Sequence, residues 1–194
     1  MTDLGAGGII LPAYTDGPVS VFDVVGLDLS LTGTGIVLID EGGIYTSLIK
    51  SRGKRGDSLA QRAHRLATLR KQIAELIPEG AHIVVEQPAY SSSMGSMHDR
   101  SGLWWLIVGW LHPFHNVTEV APGTLKKFAT GKGNAGKDEM LAAAIRRYPS
   151  VEIVDNNVAD AMHLAAMGAR YLGHPQEADT VKITEAMAVP RWTL

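Results

Sequence analysis

Between Val24 and Ile39 an apolar run ends on a single carboxylate, turns, and starts again. Val24-Val25-Gly26-Leu27 leads to Asp28, a stretch rich in Gly, Ser and Thr follows, and Ile36-Val37-Leu38-Ile39 resumes the apolar pattern. This order predicts a buried strand, a tight turn and a second strand, a hairpin. A charge at the end of an otherwise apolar strand costs free energy unless it is paired or holds a cation. Asp28 therefore has two readings. It caps the turn by accepting backbone N–H groups, or it belongs to a site that the rest of the chain completes.

The chain has 194 residues, 45% of them apolar and 20% charged, as expected for one soluble globular domain with a proper core. It contains no cysteine, which excludes disulfides and thiolate zinc sites. No basic-then-apolar leader opens it, and its longest apolar stretch, 103–111, is too short to span a bilayer. A cytoplasmic protein with no membrane partner is the expectation. Net charge is −2, yet residues 50–71 hold eight Lys/Arg against one acid, and 126–147 hold six against two. The remainder is correspondingly acidic. Basic faces beside an acidic centre fit a polyanion partner; two amphipathic helices with solvated basic faces are the plainer explanation.

Residues 1–20, with four Gly and two Pro, read as a flexible extension. Strands are expected at about 21–29, 34–40 and 44–49, then a basic loop at 50–56. Asp57 or Ser58 can cap a helix whose apolar residues Leu59, Ala63, Leu66, Leu69, Ile73 and Ile77 fall at helical spacing. A short buried strand at 82–86 again ends on a carboxylate, Glu86. Residues 89–100 read as a mobile loop, 99–112 as an apolar helix, and 116–120 as a fifth strand. Helices follow at 122–128, 137–148 and 157–172, the first two separated by a flexible basic loop at 130–136. Residues 174–194 read as a tail. The order predicts an α/β domain with a mixed sheet.

Two strands thus end on carboxylates, Asp28 and Glu86. Neighbouring strand ends lie about 5 Å apart, and two such charges repel unless a cation sits between them. In Asn157-Val-Ala-Asp160-Ala-Met-His163 the polar residues recur at i, i+3, i+6, which predicts one helix face turned toward the sheet. Asp160 would then join Asp28 and Glu86. Oxygen ligands with few imidazoles favour Mg²⁺, with Mn²⁺ able to substitute. Such a site suits phosphodiester hydrolysis, with the basic segments holding the nucleic-acid backbone.

Gly26-Leu-Asp28-Leu-Ser30, Ile83-Val-Val-Glu86-Gln87 and Val158-Ala-Asp160-Ala161 occur in that order. Between the last two lie Ala121-Pro-Gly-Thr-Leu-Lys126-Lys127 and Thr130-Gly-Lys132-Gly-Asn-Ala-Gly-Lys137-Asp-Glu-Met140. Together these segments resemble the RuvC family of Holliday junction resolvases, in the RNase H-like superfamily, over roughly residues 23–172. The resemblance implies an RNase H-like mixed five-stranded sheet flanked by helices over 21–173. It also implies a homodimeric, Mg²⁺-dependent endonuclease of four-way junctions or other branched DNA. It assigns Asp28, Glu86 and Asp160 to the metal, with Asn157 as helper ligand, and Lys137 to the scissile phosphate. It sets one of Lys126 or Lys127 near the scissile phosphate or the DNA backbone; the basic segments, by their charge, add Lys126, Lys127 and Lys132, with Arg52, Lys54, Arg55 and Arg62, as backbone contacts. Tyr90 is the nearest candidate for the family's base-contacting aromatic residue. One position departs: Asn157 stands where the family has an acid or a His, and Asp155 or His163 would have to compensate.

Other motifs carry less. Gly131 to Lys137 has the spacing of a phosphate-binding loop but is followed by Asp138 instead of Ser/Thr, and no apolar strand precedes it. His112 and His115 flank Pro113 and mark a helix end. Trp104, Trp105 and Trp110 read as core or dimer interface, and Ser91-Ser92-Ser93 as loop. A sugar-kinase-like phosphotransferase would need two such domains. The chain is read as a branched-DNA endonuclease; the alternative is a branched-DNA-binding protein with weak or lost cleavage.

Overall fold

The computed structural model of the chain describes residues 22–88 and 94–193. The extension expected at 1–20 and the candidate Tyr90 lie outside them. The strands are β1 (Val24–Asp28), β2 (Gly33–Asp40), β3 (Gly43–Lys50), β4 (His82–Glu86) and β5 (Val117–Val120). The helices are α1 (Leu59–Ala74), α2 (Met94–Leu111), α3 (Pro122–Thr130), α4 (Lys137–Arg147), α5 (Asn156–Tyr171) and α6 (Val181–Met187). The strands form one mixed sheet in the order β3-β2-β1-β4-β5. β1 runs antiparallel to β2 and parallel to β4, β2 antiparallel to β3, and β4 parallel to β5. The predicted mixed five-stranded sheet flanked by helices is the architecture found.

Side chains alternate across a strand, and this divides the core in two. Val25 and Leu27 of β1, with Ile83 and Val85 of β4, pack on Leu69 and Ile73 of α1 and Leu103 and Ile107 of α2. Val24 and Val84 face the opposite layer, where α5 lies with α3, α4 and α6. The alternation carries Asp28 and Glu86 onto the α5 side. Leu27 pairs with Val85 in parallel register, so the two carboxylates stand beside each other at the ends of neighbouring strands.

The seat of α5 depends on two glycines. A Cβ on Gly26 would stand 2.1 Å from the Ala161 carbonyl oxygen, and one on Gly35 would stand 2.1 Å from that of Asn157. The helix backbone therefore rests directly on β1 and β2. Asp155 fixes its start, its Oδ1 accepting the N–H groups of Asn157 at 2.9 Å and Val158 at 3.0 Å, an N-cap. The first turn of α5 consequently lies against the end of β1.

Two expectations shift. Helix α2 begins at Met94, about five residues before the predicted start. A Gly/Ser-rich segment has poor helix propensity, but Asp99 forms an ion pair with Arg62 of α1, and tertiary contact overrides propensity. The segment 174–194, read as a tail, contains α6, capped by Thr180 and burying Ile183 and Ala186. Trp192 stacks on Tyr171 with ring centroids 4.6 Å apart. Seven residues are too few to give a periodic signal. No helix among the described residues is long and apolar enough to cross a membrane.

Candidate active site

The turn after β1 closes without Asp28. Thr34 Oγ1 donates to the Ser30 carbonyl at 2.9 Å and accepts the Ser30 N–H at 3.2 Å. Ser30 Oγ accepts the Thr32 N–H. Arg65 of α1 holds the turn from behind, donating to Ser51 Oγ at 2.8 Å and to the Leu31 carbonyl. Ser30, Thr34 and Arg65 thus hold the turn, and Asp28 lines the cleft beside it.

That cleft, of about 260 Å³, is lined by Asp28 and Ser30 after β1, Glu86 and Gln87 after β4, and Asn156, Asn157 and Asp160 of α5. Lys137 closes it from α4, and Arg100 and Trp104 from α2. Burial above all, then the Glu86 and Asp160 carboxylates, push the pKa of Asp28 well up, against the pull of Lys137. Burial and then Asp160 push Glu86 up to about 7, with Lys126 acting the other way. Burial pushes Asp160 up to about 6, opposed by Lys137 and Lys126. Lys137 is the first residue of α4, where the helix dipole disfavours a cation. The carboxylates facing it offset that cost.

The predicted residues separate into those the fold gathers and those it does not. Asp28, Glu86, Asn157, Asp160 and Lys137 share the cleft. Lys126 lies within electrostatic reach of Glu86 and Asp160. Lys127 pairs with Glu185 of α6 at 2.7 Å, and Lys132 with Glu139 at 3.1 Å. Arg52, Lys54 and Arg55 are exposed on the loop after β3 and do not line the cleft. Arg62, expected on the DNA, forms an ion pair with Asp99 of α2 and keeps its side chain 41% exposed.

His163 corrects a second expectation. Six residues bring a helix about a third of a turn off the starting face. His163 accordingly points away from Asp160, fully buried, with Nε2 3.3 Å from the Met140 carbonyl and its ring beside Tyr148. It cannot compensate for Asn157. Asp155 is taken up as the cap of α5 and also accepts Asn157 Nδ2 at 3.1 Å. That bond leaves Asn157 Oδ1 as the free acceptor of the amide.

Sequence reasoning missed three members of the site. Arg100 lines the cleft from α2, in a segment read as loop. Trp104 donates its indole N–H to the Glu86 carbonyl at 2.9 Å, fixing the strand end that carries the carboxylate. Asn156 sits one residue before the position that attracted notice. Asn156 Oδ1 and Asp160 Oδ1 are both buried, and neither has a hydrogen-bond partner among the described residues.

A cation fits this donor set. The site offers three carboxylates and two amide oxygens, all hard ligands, and two of those oxygens are buried without a donor. Among the described residues no three Asp, Glu, His or Cys side chains stand close enough to hold an ion by themselves.

No family model matches the chain, and no curated protein does. Solved structures do. A Thermus thermophilus RuvC structure superposes with a TM-score of 0.55 at 16% identity, over 81% of this chain and 100% of that one. A second, of T. thermophilus RuvC in complex with a Holliday junction substrate, gives a TM-score of 0.55 at 14% identity, over 81% and 99%. The sheet order, the helix laid on its glycines and the carboxylates at the strand ends thus belong to a chain with the fold of RuvC.

Proposed function

We propose that the chain is a structure-specific endonuclease that hydrolyses phosphodiester bonds in branched DNA, four-way junctions among them. The observation that carries the reading is the cleft itself: three half-buried carboxylates from two strand ends and one helix, faced by Lys137. The likeness to a fold solved with a Holliday junction supports the substrate class. In this reading Asp28, Glu86, Asp160 and the Asn157 amide hold a divalent cation, Mg²⁺ or Mn²⁺. Such a cation supplies Lewis-acid polarisation of the phosphodiester and lowers the pKa of water. Lys137 Nζ, fixed at the start of α4, meets the charge that develops on the phosphate. Lys126 orients the backbone beside Glu86. Lys127 and Lys132 sit in exposed ion pairs, which contribute little stability and can open to phosphates. Trp104 holds the Glu86 main chain in place.

A homodimer is part of the proposal. Trp105 is 67% exposed and Leu106 38% exposed on the outer side of α2, with Gly102 and Gly109 at one turn to either side. This face suits a second copy of the helix.

One observation favours a second reading, a junction-binding protein that cuts weakly or not at all. Asn157 brings no charge, so the cleft is one carboxylate short of the four-ligand pattern that the family resemblance implies. Cleavage of a four-way junction, assayed in Mg²⁺ and again in Mn²⁺, separates the two. Nicking in either ion supports the endonuclease; tight binding without nicking in both supports the second reading.

A further inference from the structure

Among the described residues only three buried side-chain polar atoms have no hydrogen-bond partner, and two of them, Asn156 Oδ1 and Asp160 Oδ1, belong to residues lining one cleft. Asn156 and Asp160 are four residues apart on α5, so their side chains are neighbours on one face. Both atoms are acceptors, and a buried acceptor without a donor is costly. An acidic side chain could relieve the cost by protonation; an amide oxygen cannot. Among the described residues no three Asp, Glu, His or Cys side chains are grouped so as to hold an ion. Asn157 Nδ2 is tied to Asp155, which turns the neighbouring amide as an acceptor too.

We propose that Asn156 is a metal-ligating residue: its Oδ1, with Asp160 Oδ1, forms the buried half of a divalent-cation site at the first turn of α5. The inference rests on the endonuclease reading for the choice of ion, but not on cleavage. Two neutral oxygens, from Asn156 and Asn157, then stand in for the charged fourth ligand. The site then holds a cation at lower net charge than four carboxylates would give.

The test is Mn²⁺ binding to the full chain without DNA, by isothermal titration calorimetry and by loss of the free-ion EPR signal. Asn156→Ala is expected to weaken Mn²⁺ by about tenfold or more, the scale on which ligand-shell changes act. Asn156→Asp is expected to bind it more tightly than the wild type. In EDTA, the Tm of Asn156→Ala should equal or exceed that of the wild type, because the orphaned oxygen is gone. A purely structural amide would give the reverse: a lower Tm in EDTA and unchanged Mn²⁺ affinity. That result overturns the proposal, as does a wild-type chain that binds no Mn²⁺. Should Asn156→Ala not fold, Asn156→Asp decides alone, and affinity no tighter than wild type overturns it. A chain that binds Mn²⁺ through Asn156 yet cuts no branched DNA keeps this inference and loses the endonuclease. A chain that cuts while Asn156→Ala binds normally does the opposite.

Discussion

Glu86 shows most directly what it costs to bury carboxylates together. Its pKa is pushed up to about 7 by burial and by Asp160, against about 4.3 in an unfolded chain. The proton therefore binds the folded state more tightly. The stability it confers is fully present below about pH 4 and is lost as pH rises through about 7, an effect on the order of 3 kcal/mol. His163, pushed down to about 4 by its own burial, penalises folding in the opposite direction as pH falls. A difference between variants removes that contribution. In EDTA, Glu86→Gln is expected to match the wild type in Tm near pH 4 and to exceed it increasingly up to pH 8. Saturating Mg²⁺ should stabilise the wild type far more than the variant. Equal Tm profiles would mean that Glu86 is not held in a shared, desolvated site. Asp28, Glu86 and Asp160 were legible in the sequence because each interrupts an apolar pattern, and strand alternation told which side they share. Asn156, Arg100 and Trp104 were not: which side chains of a helix meet a cleft depends on contacts remote in sequence.

At the scale of elements, the site follows from how closely α5 approaches the sheet. Gly26 and Gly35 leave no room for a side chain, since the atoms a Cβ would meet are main-chain atoms at 2.1 Å. Backbone cannot rotate away as a side chain can. Gly26→Ala is therefore expected to cost at least about 3 kcal/mol, the upper range for overpacking, measured by urea denaturation. Any folded fraction should also bind Mn²⁺ poorly, because Asp160 moves with α5. A loss under 1 kcal/mol would show that the helix floats free of the strand. The hairpin, the parallel strand and α5 could be read from periodicity and turn residues. The start of α2 and the whole of α6 could not, because an ion pair to α1 and the packing of Ile183 and Ala186 decide them.

At the scale of the molecule, a net charge of −2 hides two basic segments, and one of them supplies Lys126 and Lys137 to the acidic cleft. Of the cations in those segments, Arg65 holds the turn after β1, Arg62 pairs with Asp99, and Lys126 and Lys137 face the carboxylates. Sequence counts alone could not divide them. If α2 carries the dimer contact, Trp105→Glu should turn a sedimenting dimer into a folded monomer; a wild-type monomer at tens of micromolar would remove that part of the proposal. The most direct measurement is nicking of end-labelled four-way junction, flap and linear duplex DNA in Mg²⁺, with Asp28→Asn beside the wild type. Paired nicks placed symmetrically across the junction, absent from linear duplex and abolished in Asp28→Asn, are the predicted result. Tight junction binding with no nick in Mg²⁺ or Mn²⁺, or nicking that survives in Asp28→Asn, would contradict it.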